Sequence, residues 1–275
     1  MQISSSWVLQ GQNGIESLKV VDKEIPRPGD HEVLVRIYAA SLNHRELAIA
    51  KYPESEPVSL REITTGLGQH LDGNLQASTL TCAGLTAWNA LLGLEGRGPK
   101  KGDAVLVQGT GGVSVIALQF ALVCGATIIA TTSSDSKAQK LQSLGAHHVL
   151  NYRTNPNWGE TAKTLTPGQK GCDLVVDVGG LSTLNQSFKA VRPDGVISIT
   201  GVLGSASDSR SARGIVLGTR RQFKEMNRFV HQHQIRPVVD ERVFGYEEAK
   251  EAYEYMMAQK HFSKVCVRIE EGSGN

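Results

Sequence analysis

The chain has 275 residues, 40% of them hydrophobic and 20% charged, enough apolar material for one large domain or two moderate ones. A net charge of +2 is too mild to call for nucleic acid or a membrane surface as a partner. The cysteines Cys82, Cys124, Cys172 and Cys266 form no CxxC pair, which argues against a structural zinc site or a redox dithiol and suits a reducing compartment. With no signal pattern at the N-terminus and no apolar run of membrane-spanning length, the expected location is cytoplasmic.

Residues 1–50 read as β-rich. Strand composition occurs at 7–9, 17–21 and 32–39, with Pro26, Pro28 and Gly29 as breaks, and a short helical turn follows over 43–50. Residues 51–80 show no clear period, a length that compact domains rarely leave without structure. An apolar helix is expected over 81–94, then a polar linker over 96–102. From Asp103 the pattern becomes strand–helix alternation. Strands fit at 104–108, 127–131, 147–150, 173–178, 195–200 and 214–218, and helices at 112–123, 135–144, 157–165, 182–190 and 220–233. Such alternation predicts a doubly wound parallel sheet covered by helices on both faces. The tail adds a helix at 246–259 and a strand at 264–269, which either rejoins the first domain or extends the sheet. The basic residues Arg210, Arg213, Arg220, Arg221, Lys224 and Arg228 read mostly as a solvated helix face and the loop before it.

The most informative stretch is Asp103-Ala-Val-Leu-Val-Gln-Gly-Thr-Gly-Gly-Val-Ser114. A buried-type strand runs into glycines at Gly109, Gly111 and Gly112, and an apolar helix follows. That turn lets the backbone approach a pyrophosphate, and the helix N-terminus offers unpaired N–H groups and a positive dipole end. Ser114 stands where a G-x-G-x-x-G fingerprint has its third glycine. The second strand ends in Thr131, Thr132, Ser133 and Ser134, where an NAD-selective site carries a carboxylate. Hydroxyls followed by Lys137, with Tyr152 and Arg153 after the third strand, suit the 2′-phosphate of NADPH. Asp135 is the exception, or else a helix cap. A first-turn surface lysine is the plainer reading of Lys137. Glycines after the fourth strand (Gly179, Gly180) and the fifth (Gly201) keep the carboxyl edge of the sheet open.

Together these pieces resemble the medium-chain dehydrogenase/reductase superfamily, in its zinc-independent quinone oxidoreductase branch and near fungal zinc-type alcohol dehydrogenase-like members. The resemblance rests on Ala40-Ser-Leu-Asn-His-Arg-Glu46, Ala83-Gly-Leu-Thr-Ala-Trp88, Gln108-Gly-Thr-Gly-Gly-Val113, Ser134-Asp-Ser-Lys137, Asn151-Tyr152, Val191-Arg-Pro-Asp-Gly195 and His261-Phe-Ser-Lys-Val265. It implies an α/β fold, a Rossmann sheet plus a β-rich GroES-like domain that is incomplete here. The boundaries expected are a truncated GroES-like catalytic domain over 1–95, a Rossmann NADP-binding domain over 96–235, and a C-terminal segment over 236–275 that returns to the catalytic domain. It further implies NADPH as cofactor, a small carbonyl or quinone substrate, and a homodimer. Its nicotinamide contacts fall on Asn43 and Thr86, and its pyrophosphate turn on Gly111, Gly112 and Val113. Its 2′-phosphate partners fall on Lys137 and Tyr152, and its pocket lining on Val178 and Gly201. Asn43 stands where zinc-dependent relatives carry a cysteine ligand.

Two stretches of the family pattern are missing, between Pro53 and Thr64 and between Leu75 and Ala77, so the catalytic barrel lacks strands. The expected reaction is hydride transfer to an enone, an enoyl group or a quinone without zinc, with water or Tyr52 supplying the proton. The alternative is a protein that binds NADPH and has lost the substrate chemistry.

Overall fold

The computed structural model describes residues 3–11, 13–51, 74–201 and 213–269. Along the chain these form β1 (Ile3–Leu9), β2 (Leu18–Glu24), β3 (Ala39–Ser41), α1 (His44–Lys51), α2 (Asn74–Ser78) and α3 (Leu85–Leu92). Then come β4 (Ala104–Gln108), α4 (Gly112–Val123), β5 (Thr127–Thr132), α5 (Asp135–Ser143), β6 (His148–Asn151) and α6 (Trp158–Thr164). The chain continues through β7 (Cys172–Asp177), α7 (Leu184–Ala190), β8 (Val191–Ile199), β9 (Arg213–Gly214) and α8 (Arg220–Gln232). It closes with β10 (Val239–Gly245), α9 (Ala249–Met257) and β11 (Lys264–Arg268).

Six strands make one parallel sheet in the order β6-β5-β4-β7-β8-β9. The chain winds outward through β5 and β6, then restarts at β7 on the other side of β4. The β4/β7 gap is therefore a topological switch point, where open α/β sheets leave a crevice beyond the strand carboxyl ends. β4 and β7 are buried along their whole length, which explains their unbroken apolar runs rather than alternation. Helix α4 is buried over most of its surface because it lies between the sheet and α3. Trp88 of α3, Phe120 of α4 and Phe229 of α8 meet edge to face, with ring centroids 5.3–5.9 Å apart. This cluster joins the helix before the linker to the nucleotide-type sheet, so α3 packs with the larger layer.

The tail returns to the N-terminal region. β11 pairs antiparallel with β3 and parallel with β10, giving a three-stranded sheet in the order β10-β11-β3. Strand β10 had no counterpart in the sequence reading. Two other strands are shorter than expected. Residues 32–38 are apolar enough for a strand, yet the strand begins only at Ala39–Ser41, preceded by the Tyr38 carbonyl accepting from the Ile269 N–H at 2.9 Å, and the earlier residues are largely exposed. Val33 is left 82% exposed and Ile37 58%. Likewise the expected 214–218 strand is reduced to β9 at Arg213–Gly214, followed by the Ile215 N–H donating to the Ile199 carbonyl at 2.8 Å. Among the described residues, no helix is long and apolar enough to cross a membrane.

The aromatic cluster gives the first prediction. Phe120→Ala leaves a hole between two rings and is expected to cost about 3–5 kcal/mol in urea unfolding. A loss below about 1 kcal/mol would show that the three helices do not depend on it.

Candidate nucleotide and active site

The site grows from the end of β4. Gly109 has φ +76°, a conformation natural to glycine, and its N–H donates to the Thr131 carbonyl of β5 at 2.9 Å. Its α-carbon faces Val178 across the crevice. Gly111 is the N-cap of the 12-residue α4, and no side chain caps it. No acidic residue lies in the first turn, and the space a Cβ of Gly111 would fill is open. Half-buried Val113 sits in that same first turn. This is a helix N-terminus with no side-chain cap, no acidic residue and open space beside Gly111, features that suit a phosphate group. Ser114 does more than replace a glycine: its hydroxyl donates to the Gln108 carbonyl at 2.5 Å and ties helix to strand.

A buried polar network holds the far wall. Gln108 donates through Nε2 to Ser187 Oγ at 2.7 Å, and its Oε1 accepts from the Val178 and Gly179 N–H groups. Ser187 donates to Asp177 at 2.6 Å. The same carboxylate accepts from the Gly180 N–H and the Thr183 hydroxyl, both at 2.8 Å. Gly201 lies so close to the Val178 carbonyl that any side chain would collide with backbone. Gly109, Val178 and Gly201 are thus brought together around the switch point.

The expected 2′-phosphate region is built differently from the sequence reading in one respect. Ser134, not Asp135, caps α5, accepting from the Lys137 N–H at 3.5 Å. Asp135 instead accepts from Asn151 Nδ2 at 2.8 Å. Thr131 and Thr132 are buried, and the Thr132 hydroxyl accepts from the Ser134 N–H, while Ser133 is half-buried between them. Tyr152 is 42% exposed and its N–H donates to the Thr132 carbonyl, which fixes it at the end of β5. Lys137 Nζ donates to the Gln259 and His261 carbonyls, each at 2.8 Å, and burial lowers its pKa. It tethers the C-terminal segment, a role the sequence did not disclose.

Asn43 sits at the N-cap position of α1, and Glu46 accepts the Asn43 backbone N–H, as in a capping box. The Asn43 side chain is otherwise engaged. Its Nδ2 donates to the Ser41 carbonyl at 3.1 Å and to Glu46 at 3.3 Å. Its Oδ1 accepts from Lys264 Nζ at 2.6 Å. Lys264 also donates to the Leu42 carbonyl and is buried on β11. Burial pushes the Lys264 pKa down, against the pull of Cys82, Glu46 and Cys266. Burial pushes the Glu46 carboxyl up, against the Asn43 hydrogen bond and the Lys264 charge. It also raises the Cys82 thiol, which lies on the wide π turn Leu80–Gly84 just before α3. Thr86 is buried on α3. Tyr52 lies outside the described residues. The sequence reading singled out neither Glu46 nor Lys264. The spacing Asn43-His-Arg-Glu46 signalled the first, and a lysine inside an apolar strand signalled the second. Among the described residues, no three His, Cys, Asp or Glu side chains gather as a metal site.

Residues 112–241 match the family model of zinc-binding dehydrogenases. A zinc-type alcohol dehydrogenase-like protein of Schizosaccharomyces pombe is 34% identical over 339 aligned positions, which take in 94% of this chain and 97% of that protein. Since 94% of 275 residues is about 258, about 80 aligned positions hold residues of the relative alone. The Leishmania amazonensis protein named Probable quinone oxidoreductase is 28% identical, covering 97% of this chain and 78% of its own. The crystal structure of an NAD-dependent alcohol dehydrogenase superposes with TM-score 0.82 at 25% identity, over 97% of this chain and all of that one.

The buried lysine yields a pH prediction. With its folded pKa below the unfolded value near 10.5, the unfolded chain holds a proton that the folded chain lacks between the two values. Stability therefore rises with pH through that window, and the cost of the buried charge is greatest below it. Lys264→Met removes this dependence. The variant should gain on wild type at pH 7 relative to pH 10 in urea unfolding. A difference constant with pH would contradict the assignment.

Proposed function

Because the chain belongs to the medium-chain dehydrogenase/reductase superfamily, we propose that it is an NADPH-dependent oxidoreductase that reduces a quinone, an enone or an enoyl-type carbonyl without zinc. The observation that carries this reading is the open, uncapped glycine turn at the β4/β7 switch point. The residues fit a dinucleotide. Gly109, Gly111, Gly112 and Val113 would hold the pyrophosphate, while Val178 and Gly201 would border the nicotinamide with Asn43 and Thr86. Ser133, Ser134, Lys137 and Tyr152 would receive the 2′-phosphate. When bound, the nicotinamide supplies the hydride.

The chain's own part is positioning and polarisation. Asn43 is held rigid by three partners, which favours an orienting role over a mobile one. β5 itself ends in hydroxyl residues, with Asp135 lying beyond it in the first turn of α5 and accepting from Asn151, and this supports NADPH over NADH. Lys137 directs two protons to carbonyls and would offer its third to the phosphate. Zinc independence is supported by the single, scattered cysteines and by the engaged carboxamide of Asn43. Tyr52 or water would supply the proton. The protein would act in the cytoplasm, as a homodimer, on a small molecule.

A second reading is favoured by one observation, the uncovered apolar residues 33–37 beside a shortened N-terminal region. It holds that NADPH binds and substrate turnover is lost. Fluorescence titration with NADPH alongside turnover of a simple quinone separates the two: binding with turnover supports the reductase, and binding alone supports the second reading. Lys137→Ala should weaken NADPH about 10-fold to 100-fold, as one charge-assisted hydrogen bond of ~1.5–3 kcal/mol implies, with NADH nearly unchanged. Equal losses for both would refute the phosphate assignment. Incubation with o-phenanthroline should leave quinone turnover intact, and inactivation reversed by zinc would overturn zinc independence.

A further inference from the structure

Lys264 is a deeply buried cation that the proposed chemistry leaves unused. Its alkyl stem passes over Gly112, where a Cβ would run into Lys264 Cγ and Cδ and press on Ala83. Its ammonium reaches the other way, to the Leu42 carbonyl and to Asn43 Oδ1. One side chain thus touches the first residue of α4 and the residue just before α1. The backbone reinforces the link. Ser263 donates its N–H to the Thr110 carbonyl at 2.8 Å and bridges to Gly111, so β11 enters directly from the turn. Just upstream, Phe262 donates its N–H to Asp240 at 2.6 Å, and Ser263 donates its hydroxyl to the Val238 carbonyl at 2.8 Å. Asn43 has its Oδ1 fixed by the cation and its Nδ2 by Ser41 and Glu46, so the amide is held in one flip state.

A buried ammonium costs several kcal/mol to desolvate. A leucine or methionine would fill the same stem volume without that cost. What the lysine adds is the hydrogen bond to Asn43 and a rigid contact at Gly112. We infer that Lys264 is a positioning residue that couples the glycine turn to the Asn43 carboxamide, so that neither can move without the other. The coupling is a property of the unliganded chain. Its consequence for NADPH affinity rests on the function proposed above.

The experiment is hydrogen exchange on the full unliganded chain, followed over residues 40–48 and 109–116, for wild type, Lys264→Met, Asn43→Ala and the double variant. Each single substitution should speed exchange in both segments by about fivefold or more, and the double variant should be no faster than Lys264→Met. Fluorescence titration of Lys264→Met should show NADPH binding weakened about tenfold with the melting temperature unchanged or raised. Acceleration confined to 40–48, additive effects in the double variant, or NADPH binding equal to that of a wild type that does bind would each overturn the inference. If Lys264→Met does not fold, Asn43→Ala reads the same link from its other end and must still alter 109–116. Should wild type bind no nicotinamide nucleotide while both segments respond together, the dinucleotide reading falls and the coupling stands. Normal wild-type binding with segments that respond separately has the reverse meaning.

Discussion

The close approach of the Lys264 stem to Gly112 is the contact on which the site depends. It brings a strand from the end of the chain against a turn some 150 residues earlier. A methyl group at 112 would push β11 away from the turn, and β11 is the middle strand of the sheet that carries β3 and β10. The position of Asn43, two residues beyond β3, follows from that pairing. Two adjacent glycines therefore divide two jobs between them. Gly111 leaves open space at the helix N-terminus, and Gly112 admits the lysine.

The opposite wall of the crevice is held by a different device. Asp177 is fully buried, and three donors from Gly180, Thr183 and Ser187 converge on it. Gln108 then links Ser187 to the N–H groups of Val178 and Gly179. An unmatched carboxylate in such a place would be costly, whereas a fully satisfied network rigidifies its surroundings. The strand ends on either side of the switch point are fixed in this way before any ligand arrives. Preorganisation of that kind is what a site relying on orientation needs.

Legibility in the sequence followed burial. The central strands β4, β5 and β7 are sheltered by neighbours and helices, so their apolar runs are enough to place them, whereas β8, with exposed Pro193 and Asp194, begins four residues before the expected start. Residues 32–37 carry the same composition and do not form a strand, because a strand is a property of two segments and none of the described strands pairs with them. β10 was overlooked for the converse reason: Asp240, Glu241 and Arg242 make it look like a loop, yet Asp240 is buried and accepts from Phe262 and Tyr255. The glycine turn could be read because its residue type and its backbone job coincide. Lys264 could not, since nothing local distinguishes a lysine that emerges at a strand edge from one turned inward onto a glycine. The hydroxyls after β5 were located correctly, but which of them caps α5 depended on contacts with Asn151 that only the fold supplies.

The two halves of the molecule stand on unequal footing. The β1–β2 hairpin is a two-stranded sheet, an arrangement with little stability of its own. It is held to the C-terminal segment by the Trp7 indole N–H donating to the Tyr246 carbonyl and by Lys250 pairing with Glu16. Its pair is largely exposed, so the ion pair contributes little. Apolar side chains at Val33, Leu34, Val35 and Ile37 are exposed. The six-stranded sheet needs none of this. Its core from Trp88 to Met226 closes without the hairpin. On the proposed function, nucleotide binding would depend mainly on the part of the chain whose core is closed, and substrate chemistry on the part whose apolar surface is exposed; whether that surface tolerates a working pocket separates an active reductase from a binding protein.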